Sequence, residues 1–352
     1  MAPVLLALAE RSGIESALIA TGQHGSLFDE ALAPFGLVPD HRPDVAAAGL
    51  DPEPMALVIE TALIPLLERL QPRLVLVQGD TTSALAAARA AVRSGIAVGH
   101  VEAGLRSGDL ERPWPEEGNR IAIDRLATLL FAPTKGNLAH LAADPEVRGR
   151  AWLTGNSGID ALMHVRRSLP TPAPSRDDVV DILVTLHRRE TIGKPLRNIC
   201  VMLRQLADRG DIRITLPLHP NPNVRAIIHE ELRDHPAITL TEPFAYAEMI
   251  GRMSAADLIM SDSGGVQEEA PALGVPLLIL RDVTERPEAV QCGSAILSGT
   301  DAGKIRDDVM RVIDDREMRQ AMAIPRFPFG TGNSATRIVA LIDNYLHSQN
   351  VT

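Results

Sequence analysis

Cysteine is almost missing from this chain: Cys200 and Cys292 are the 2 present in 352 residues. They stand far apart and form no Cys-x-x-Cys pair, so neither a disulfide framework nor a cysteine zinc site is indicated, and both read as inert thiols. No segment is long and apolar enough to span a bilayer. The opening Met1-Ala-Pro-Val-Leu-Leu-Ala-Leu-Ala9 is apolar but lacks a basic leader and runs into Glu10 and Arg11, so it does not read as a signal peptide. Positive charge is in deficit: 35 Lys and Arg against 45 Asp and Glu give a net charge of −10, which argues against a general nucleic-acid or membrane surface. Internal repeats and low-complexity tracts are absent too. A reducing cytoplasm is the expected compartment, no metal or cofactor is indicated, and any anionic ligand has to be met by local arginines.

What is present is an ordinary globular composition, 45% hydrophobic and 23% charged, in a chain long enough for two domains with separate cores. Residues 1–11 read as a helix, 17–20 as a short buried strand, and 26–35 as a second helix. A proline- and aspartate-marked loop lies between Pro39 and Pro54, and helical spacing returns from Met55 to Leu70, with Pro65 inside it. Regular alternation then begins: strand 74–77, helix 83–93 closed by Gly95, a strand from Ile96, helix 116–126, strand 129–131. The three prolines of Leu169-Pro-Thr-Pro-Ala-Pro-Ser-Arg176 mark a linker over 167–178. Beyond it come strand 181–185, a helix to Ala207, strand 212–216, a helix from Asn223, and strand 238–240. Ser334 is the expected cap of a last helix reaching Leu346. Such βα alternation implies an α/β fold with largely parallel sheets.

One stretch organises the second half. Ser261-Asp-Ser-Gly-Gly-Val-Gln-Glu-Glu-Ala-Pro-Ala-Leu-Gly274 lies between the apolar runs 257–260 and 275–280, and reads as strand, glycine turn, helix, strand. Ser263, Gly264 and Gly265 fall where the helix opens, so its free N–H groups and the positive end of its dipole face an anion such as a phosphate. Glu268 and Glu269, one turn further in, would repel a phosphate but suit the hydroxyls of a ribose. Together they suggest a nucleoside diphosphate. A tight βα connection with a solvated acidic first turn is the alternative.

In parallel α/β sheets ligands bind beyond the carboxyl ends of the strands. The polar residues expected there are Asp80, Glu102 and Glu116 in the first half, and His187, His219 and Ser263 in the second. Each has a plain structural alternative: Asp80 as a helix N-cap, Glu116 as a first-turn acid after Pro115, His219 as the brace of a turn. Glu102 is harder to dismiss, because a carboxylate ending an apolar strand needs a partner or a task. His100 and His140 read as structural. Arg188, Arg189 and Arg286 are either surface charges or the donors an acidic protein needs for a diphosphate.

These residues fall into a pattern. Gly79-Asp-Thr-Thr-Ser83, the run from His100 to Leu110, Pro113-Trp-Pro-Glu-Glu117, Thr154-Gly-Asn156, His187-Arg-Arg-Glu190, 261–271 and Thr284-Glu-Arg-Pro-Glu288, in this order over nearly the whole chain, resemble the bacterial non-hydrolysing UDP-N-acetylglucosamine 2-epimerases. The resemblance implies two Rossmann-like domains of glycosyltransferase-B type around an interdomain active-site cleft. Their expected bounds are 1–168 and 169–332, with the helix over 333–352 crossing back to the first domain. It also implies a homodimer that interconverts UDP-N-acetylglucosamine and UDP-N-acetylmannosamine without metal or nicotinamide, supplying surface polysaccharide. UDP leaves by anti elimination to give 2-acetamidoglucal, then re-adds with a proton delivered to the other face of C2. Asp80, Glu102 and Glu116 would be the acids and bases, and His187 would steady the diphosphate or relay a proton. Ser263, Gly264 and Gly265 would hold phosphates, Glu269 the ribose, and Arg286, Arg188 and His219 would lie near the nucleotide.

Three departures from that pattern stand out. The family begins with a strand and a Gly-Thr-Arg-Pro-Glu-Ala turn, about fifteen residues by strand and turn length, which this chain lacks; the expectation is an upstream natural start, since a missing central strand leaves unpaired edges. Leu186 replaces a small residue before His187. Gln23-His-Gly-Ser26 lacks an arginine, which speaks against activation by a second substrate molecule. The rival readings are a hydrolysing 2-epimerase, told apart by its free-sugar product, and a UDP-sugar-binding remnant, told apart by binding without exchange of the C2 proton. A glycosyltransferase with an external acceptor shares the fold, but three carboxylates suit proton transfer at carbon better.

Overall fold

The computed structural model describes residues 1–21, 26–45, 49–171, 178–186, 193–219 and 221–349. It forms two compact units, Met1–Ala161 with Phe329–Thr352, and Leu162–Pro328. The helix Ser157–Ser168 runs through the first of these junctions, just ahead of the proline-rich stretch.

The first unit is built on a four-stranded parallel sheet in the order β1-β2-β3-β4, with β1 Leu74–Gln78, β2 Ala97–Val101, β3 Leu129–Ala132 and β4 Arg150–Leu153. Both faces are covered, which is why β3 is apolar throughout and β2 carries one polar side chain, the buried His100, instead of alternating. On one face Val77 and Val98 pack against Ile59 and Leu63 of the helix Pro52–Leu70 and against the alanine-rich helix Thr82–Arg93. The small alanines let that second helix sit close to the sheet. On the other face Val101, Leu129 and Phe131 pack against Val4 and Leu8 of the helix Ala2–Ala9 and against Ile338, Val339 and Ile342 of the last helix, Ser334–Ser348. Each fully buried side chain of this kind is worth about 1.5–3 kcal/mol relative to exposure, enough to hold both terminal helices on the sheet.

The second unit carries a six-stranded parallel sheet in the order β10-β9-β8-β5-β6-β7. Its strands are β5 Val180–Thr185, β6 Ile212–Pro217, β7 Ile238–Thr241, β8 Leu258–Ser261, β9 Leu277–Ile279 and β10 Ala295–Leu297. Counted from β5, this is the doubly wound 3-2-1-4-5-6 order, whose direction reverses between β5 and β8. Thr185 and Ser261, the last residues of those strands, are in register, and their hydroxyls meet at 2.6 Å.

Several details correct the sequence reading. The expected strand 17–20 is a single bridge, Ile19 to His41; a run that short has too few ladder bonds to extend alone. Pro65 sits inside an unbroken helix. The structure adds elements that the sequence pattern does not mark: Lys135–Ala143, β4, Ser157–Ser168, Tyr246–Ala255, Pro287–Gln291, β10, Ala302–Asp314 and Arg316–Met322. Ser334 does not cap the last helix with its side chain: its Oγ is buried with no hydrogen-bond partner among the described residues, and the cap comes from Asp160 instead. Cys200 is buried, and desolvation pushes its thiol up to about 12. Among the described residues no helix is long and apolar enough to cross a membrane, and no cluster of three or more His, Cys, Asp or Glu is arranged to hold a metal.

Candidate active site

Asp80 follows β1 in a turn made by Gly79, whose φ of +67° suits glycine. It is not the helix cap: Thr81 takes that role, its side chain accepting from the Ala84 N–H at 3.1 Å. That leaves the Asp80 carboxylate to face the Arg120 guanidinium, which approaches through Nε at 3.1 Å and through Nη2. Asn119 Nδ2 donates to the Asp80 carbonyl at 2.9 Å. Thus the first turns of the helix Glu116–Leu126 fix the Asp80 turn from both backbone and side chain.

The same arginine reaches further. Its Nη1 contacts Glu117 at 3.1 Å, and Glu117 in turn accepts from the backbone N–H groups of Ser107 and Gly108 at 3.0 and 3.1 Å. Arg120 and Glu117 are buried, so their charges are stable only as a mutually paired set. Behind the turn, buried His100 lies between Asp124 Oδ1 at 2.7 Å and the Gly79 carbonyl at 2.9 Å, and Asp124 also holds Arg106 at 2.7 Å. His100 is therefore structural, as is His140, which contacts the Gly104 carbonyl at 3.0 Å.

Glu102, the residue after β2, has φ +70°, a left-handed backbone that costs a residue with a Cβ about 1 kcal/mol or more. Its Oε2 lies 3.6 Å from where a Cβ on Gly79 would stand. The strained turn thus brings this carboxylate over the glycine next to Asp80. Glu116 opens its helix after Pro115, and its Oε2 is buried with no hydrogen-bond partner among the described residues. A buried carboxylate oxygen left bare is costly unless a ligand or water supplies the donor.

In the second unit, Ser263 precedes the helix Gly264–Leu273 without capping it, its own N–H being held by Ser261 Oγ at 3.0 Å. The first-turn N–H groups at Gly264 and Gly265 have no intrahelical acceptor, the arrangement that favours an anion at a helix start. Arg286 is buried rather than a surface charge. A Cβ on Gly264 would stand 2.8 Å from its Nη1, so the glycine is what lets the guanidinium lie against the turn. Glu268 accepts from Arg286 Nε at 2.5 Å and Glu285 from Nη1 at 2.6 Å, while Thr284 Oγ1 bonds Gln267 at 2.5 Å. The segment Thr284-Glu-Arg286 is in this way fastened to the helix. Glu268, expected to share the ribose role, is committed to that arginine. Glu269 instead accepts from the Tyr246 hydroxyl at 2.9 Å, and desolvation pushes its carboxyl up to about 7, against the lowering effect of that bond.

His219 is partly buried and accepts from the Asn221 N–H through Nδ1 at 3.2 Å, the turn-bracing geometry. His187 and Arg188 lie outside the described residues, as does Gln23-His-Gly25. Leu186, just before His187, is buried in the core of its unit. The residues that sequence reasoning missed are Arg120, Asn119, Asp124 and Tyr246. Only Arg120 had a signal, its i,i+3 spacing from Glu117 on a helix.

Two parallel sheets, the second reversing between β5 and β8 with a glycine turn at its end, define an α/β protein of two Rossmann-like domains of glycosyltransferase-B type. The family model for UDP-N-acetylglucosamine 2-epimerase matches residues 6–343. The curated UDP-N-acetylglucosamine 2-epimerase of Escherichia coli strain K12 is 40% identical over 356 residues, covering 98% of this chain and 95% of that protein. The Neisseria meningitidis UDP-GlcNAc 2-epimerase solved with UDP-GlcNAc superposes with a TM-score of 0.91 at 37% identity, over 98% of this chain and 96% of that one. Staphylococcus aureus MnaA solved with UDP gives 0.92 at 35%, over 99% and 93%. The chain belongs to the UDP-N-acetylglucosamine 2-epimerase family and is an isomerase.

Proposed function

We propose that this chain interconverts UDP-N-acetylglucosamine and UDP-N-acetylmannosamine at C2 and retains the sugar as its UDP derivative. The observation that carries this is the grouping of acids around Gly79: Asp80 braced by Arg120 and Asn119, Glu102 folded over the glycine by a left-handed backbone, and Glu116, on the helix that braces Asp80, with a bare buried oxygen. Inversion at a carbon needs a base on one face and an acid on the other, and carboxylates in different environments supply both.

In the first step a carboxylate takes the C2 proton, a C1–C2 double bond forms, and the C1–O bond breaks with its electron pair leaving on the UDP oxygen. The products are 2-acetamidoglucal and UDP. The second step reverses the flow, with the proton delivered to the opposite face of C2. Ser263, Gly264, Gly265 and Arg286 hold the diphosphate, Glu269 the ribose, and His187, Arg188 and His219 complete the nucleotide side. Electrons balance within the substrate. Metal and nicotinamide have no role in this scheme. A homodimer, checked by light scattering, is part of the same proposal.

The test is incubation with UDP-N-acetylglucosamine in deuterated water, followed by proton NMR at C2. Deuterium at C2 together with UDP-N-acetylmannosamine is the expected result. Free N-acetylmannosamine with UDP would replace this reading by a hydrolysing enzyme, and UDP binding without exchange would replace it by a binding protein.

A further inference from the structure

Tyr246 opens the helix Tyr246–Ala255, and its hydroxyl reaches across to Glu269 Oε1 on the helix Gly264–Leu273. The chain has 2 tyrosines, and this one is partly buried. A simple tie between helices would account for the bond but not for its chemistry. Neighbouring Glu268 is neutralised by Arg286, whereas the Tyr246 hydroxyl is the donor Glu269 has among the described residues. An ionised carboxylate has about four lone-pair sites to satisfy. Glu269 is only partly buried, so carboxylate sites beyond the one held by Tyr246 remain accessible, and desolvation pushes its carboxyl up to about 7. The phenol is pushed up as well, by burial first and then by the Glu269 charge, so it stays protonated and can only donate usefully to the carboxylate.

We propose that Tyr246 is a positioning residue that sets selectivity for ribonucleotides, by holding Glu269 Oε1 so that the remaining carboxylate sites accept from the vicinal hydroxyls of the ribose. This rests on Glu269 being the ribose contact of the proposed function. A vicinal diol brings two donors to the remaining carboxylate sites, and a site built to accept from a hydroxyl disfavours the analogue without it, because a bound nucleotide then shields the acceptor from water without replacing its hydrogen bonds. Removing the phenol oxygen frees the carboxylate to turn away, which weakens the ribonucleotide and leaves a deoxyribonucleotide, which never used that geometry, as it was.

The experiment is titration calorimetry of the full chain and its Tyr246→Phe, Glu269→Gln and double variants with UDP, 2′-deoxy-UDP and 3′-deoxy-UDP, alongside kcat and KM for the sugar nucleotide. The expected wild-type preference for UDP over each deoxy analogue is ~10-fold or more. Tyr246→Phe is expected to weaken UDP ~5- to 10-fold with the deoxy analogues unchanged, and to raise KM with kcat nearly constant. The double variant should be no worse than Glu269→Gln alone, since the two act as one unit. A Tyr246→Phe protein that melts earlier but keeps the wild-type preference is a structural tie, and overturns the inference. A wild type that binds UDP and its deoxy analogues alike removes the Glu269–ribose contact, and this inference with it, while leaving the epimerase reading standing. Failure of the wild type to bind UDP at all sinks both.

Discussion

The carboxylate of Asp160 accepts from the backbone N–H groups of Ser334 and Ala335, at 3.1 and 2.8 Å, from 174 and 175 residues away in sequence. It performs the capping that the local sequence assigns to Ser334, and fixes the last helix where Ile338, Val339 and Ile342 meet the β2 and β3 side chains. Replacing Asp160 with Ala is expected to destabilise the first unit by about 1–2 kcal/mol, the cost of a lost cap, and to lift protection of the Ser334 and Ala335 amides. Denaturant unfolding and amide hydrogen exchange check this.

Glu102 stands at φ +70°, where glycine is at ease and glutamate is not. Glu102→Gly is therefore expected to leave the thermal midpoint unchanged or raise it, by up to about 1 kcal/mol of relieved backbone strain, while abolishing deuterium uptake at C2. A variant that stays active would remove Glu102 from the proton-transfer set.

Arg120 forks between Asp80 and Glu117. Lysine keeps the charge but not the fork, so Arg120→Lys should lower kcat about 100-fold with little change in KM, the signature of a mispositioned acid or base. Arg120→Ala leaves two acids without their cation, and should cost about 3 kcal/mol or more in stability, seen in denaturant unfolding.

At Gly264 an added methyl would lie 2.8 Å from Arg286 Nη1 and 3.1 Å from its Cζ. The arginine is held by Glu268 and Glu285 and cannot step aside freely. Gly264→Ala is expected to weaken UDP binding about 10-fold, roughly 1.4 kcal/mol, with the fold intact by circular dichroism.

The Glu269 carboxyl keeps its proton up to about pH 7 in the folded chain, against a value of 4.5 when unfolded. Between those values the folded state binds more protons, so the contribution of this group to stability falls as pH rises through the window and is lost above it. UDP binding runs the other way: hydroxyls donating to the carboxylate favour its ionised form, so affinity should strengthen from about pH 6 to 8. UDP titrates in this range too. The informative quantity is therefore the slope of wild type minus that of Glu269→Gln, measured by calorimetry.

The sequence by itself determined eight of the ten strands, β1 to β3 and β5 to β9, the glycine turn after β8 and the acids at the strand ends, because these depend on local periodicity and on residues that only one backbone geometry suits; the short edge strands β4 and β10 carry too little pattern to be read alone. Its motifs were sufficient for the family as well. What it did not determine are the partnerships. Asp160 with Ser334, Asp80 with Arg120, Tyr246 with Glu269 and Gly264 with Arg286 join residues distant in the chain, and nothing in their local surroundings names the partner. The two adjacent glutamates make the point most directly. Side by side on one helix, Glu268 and Glu269 are indistinguishable by pattern, yet a 100° step around the helix turns one to a buried arginine and the other to a phenol. Tertiary packing alone decided which carboxylate is paired with a cation and which meets a phenol, since burial and the choice of donor depend on what the rest of the chain brings to each face.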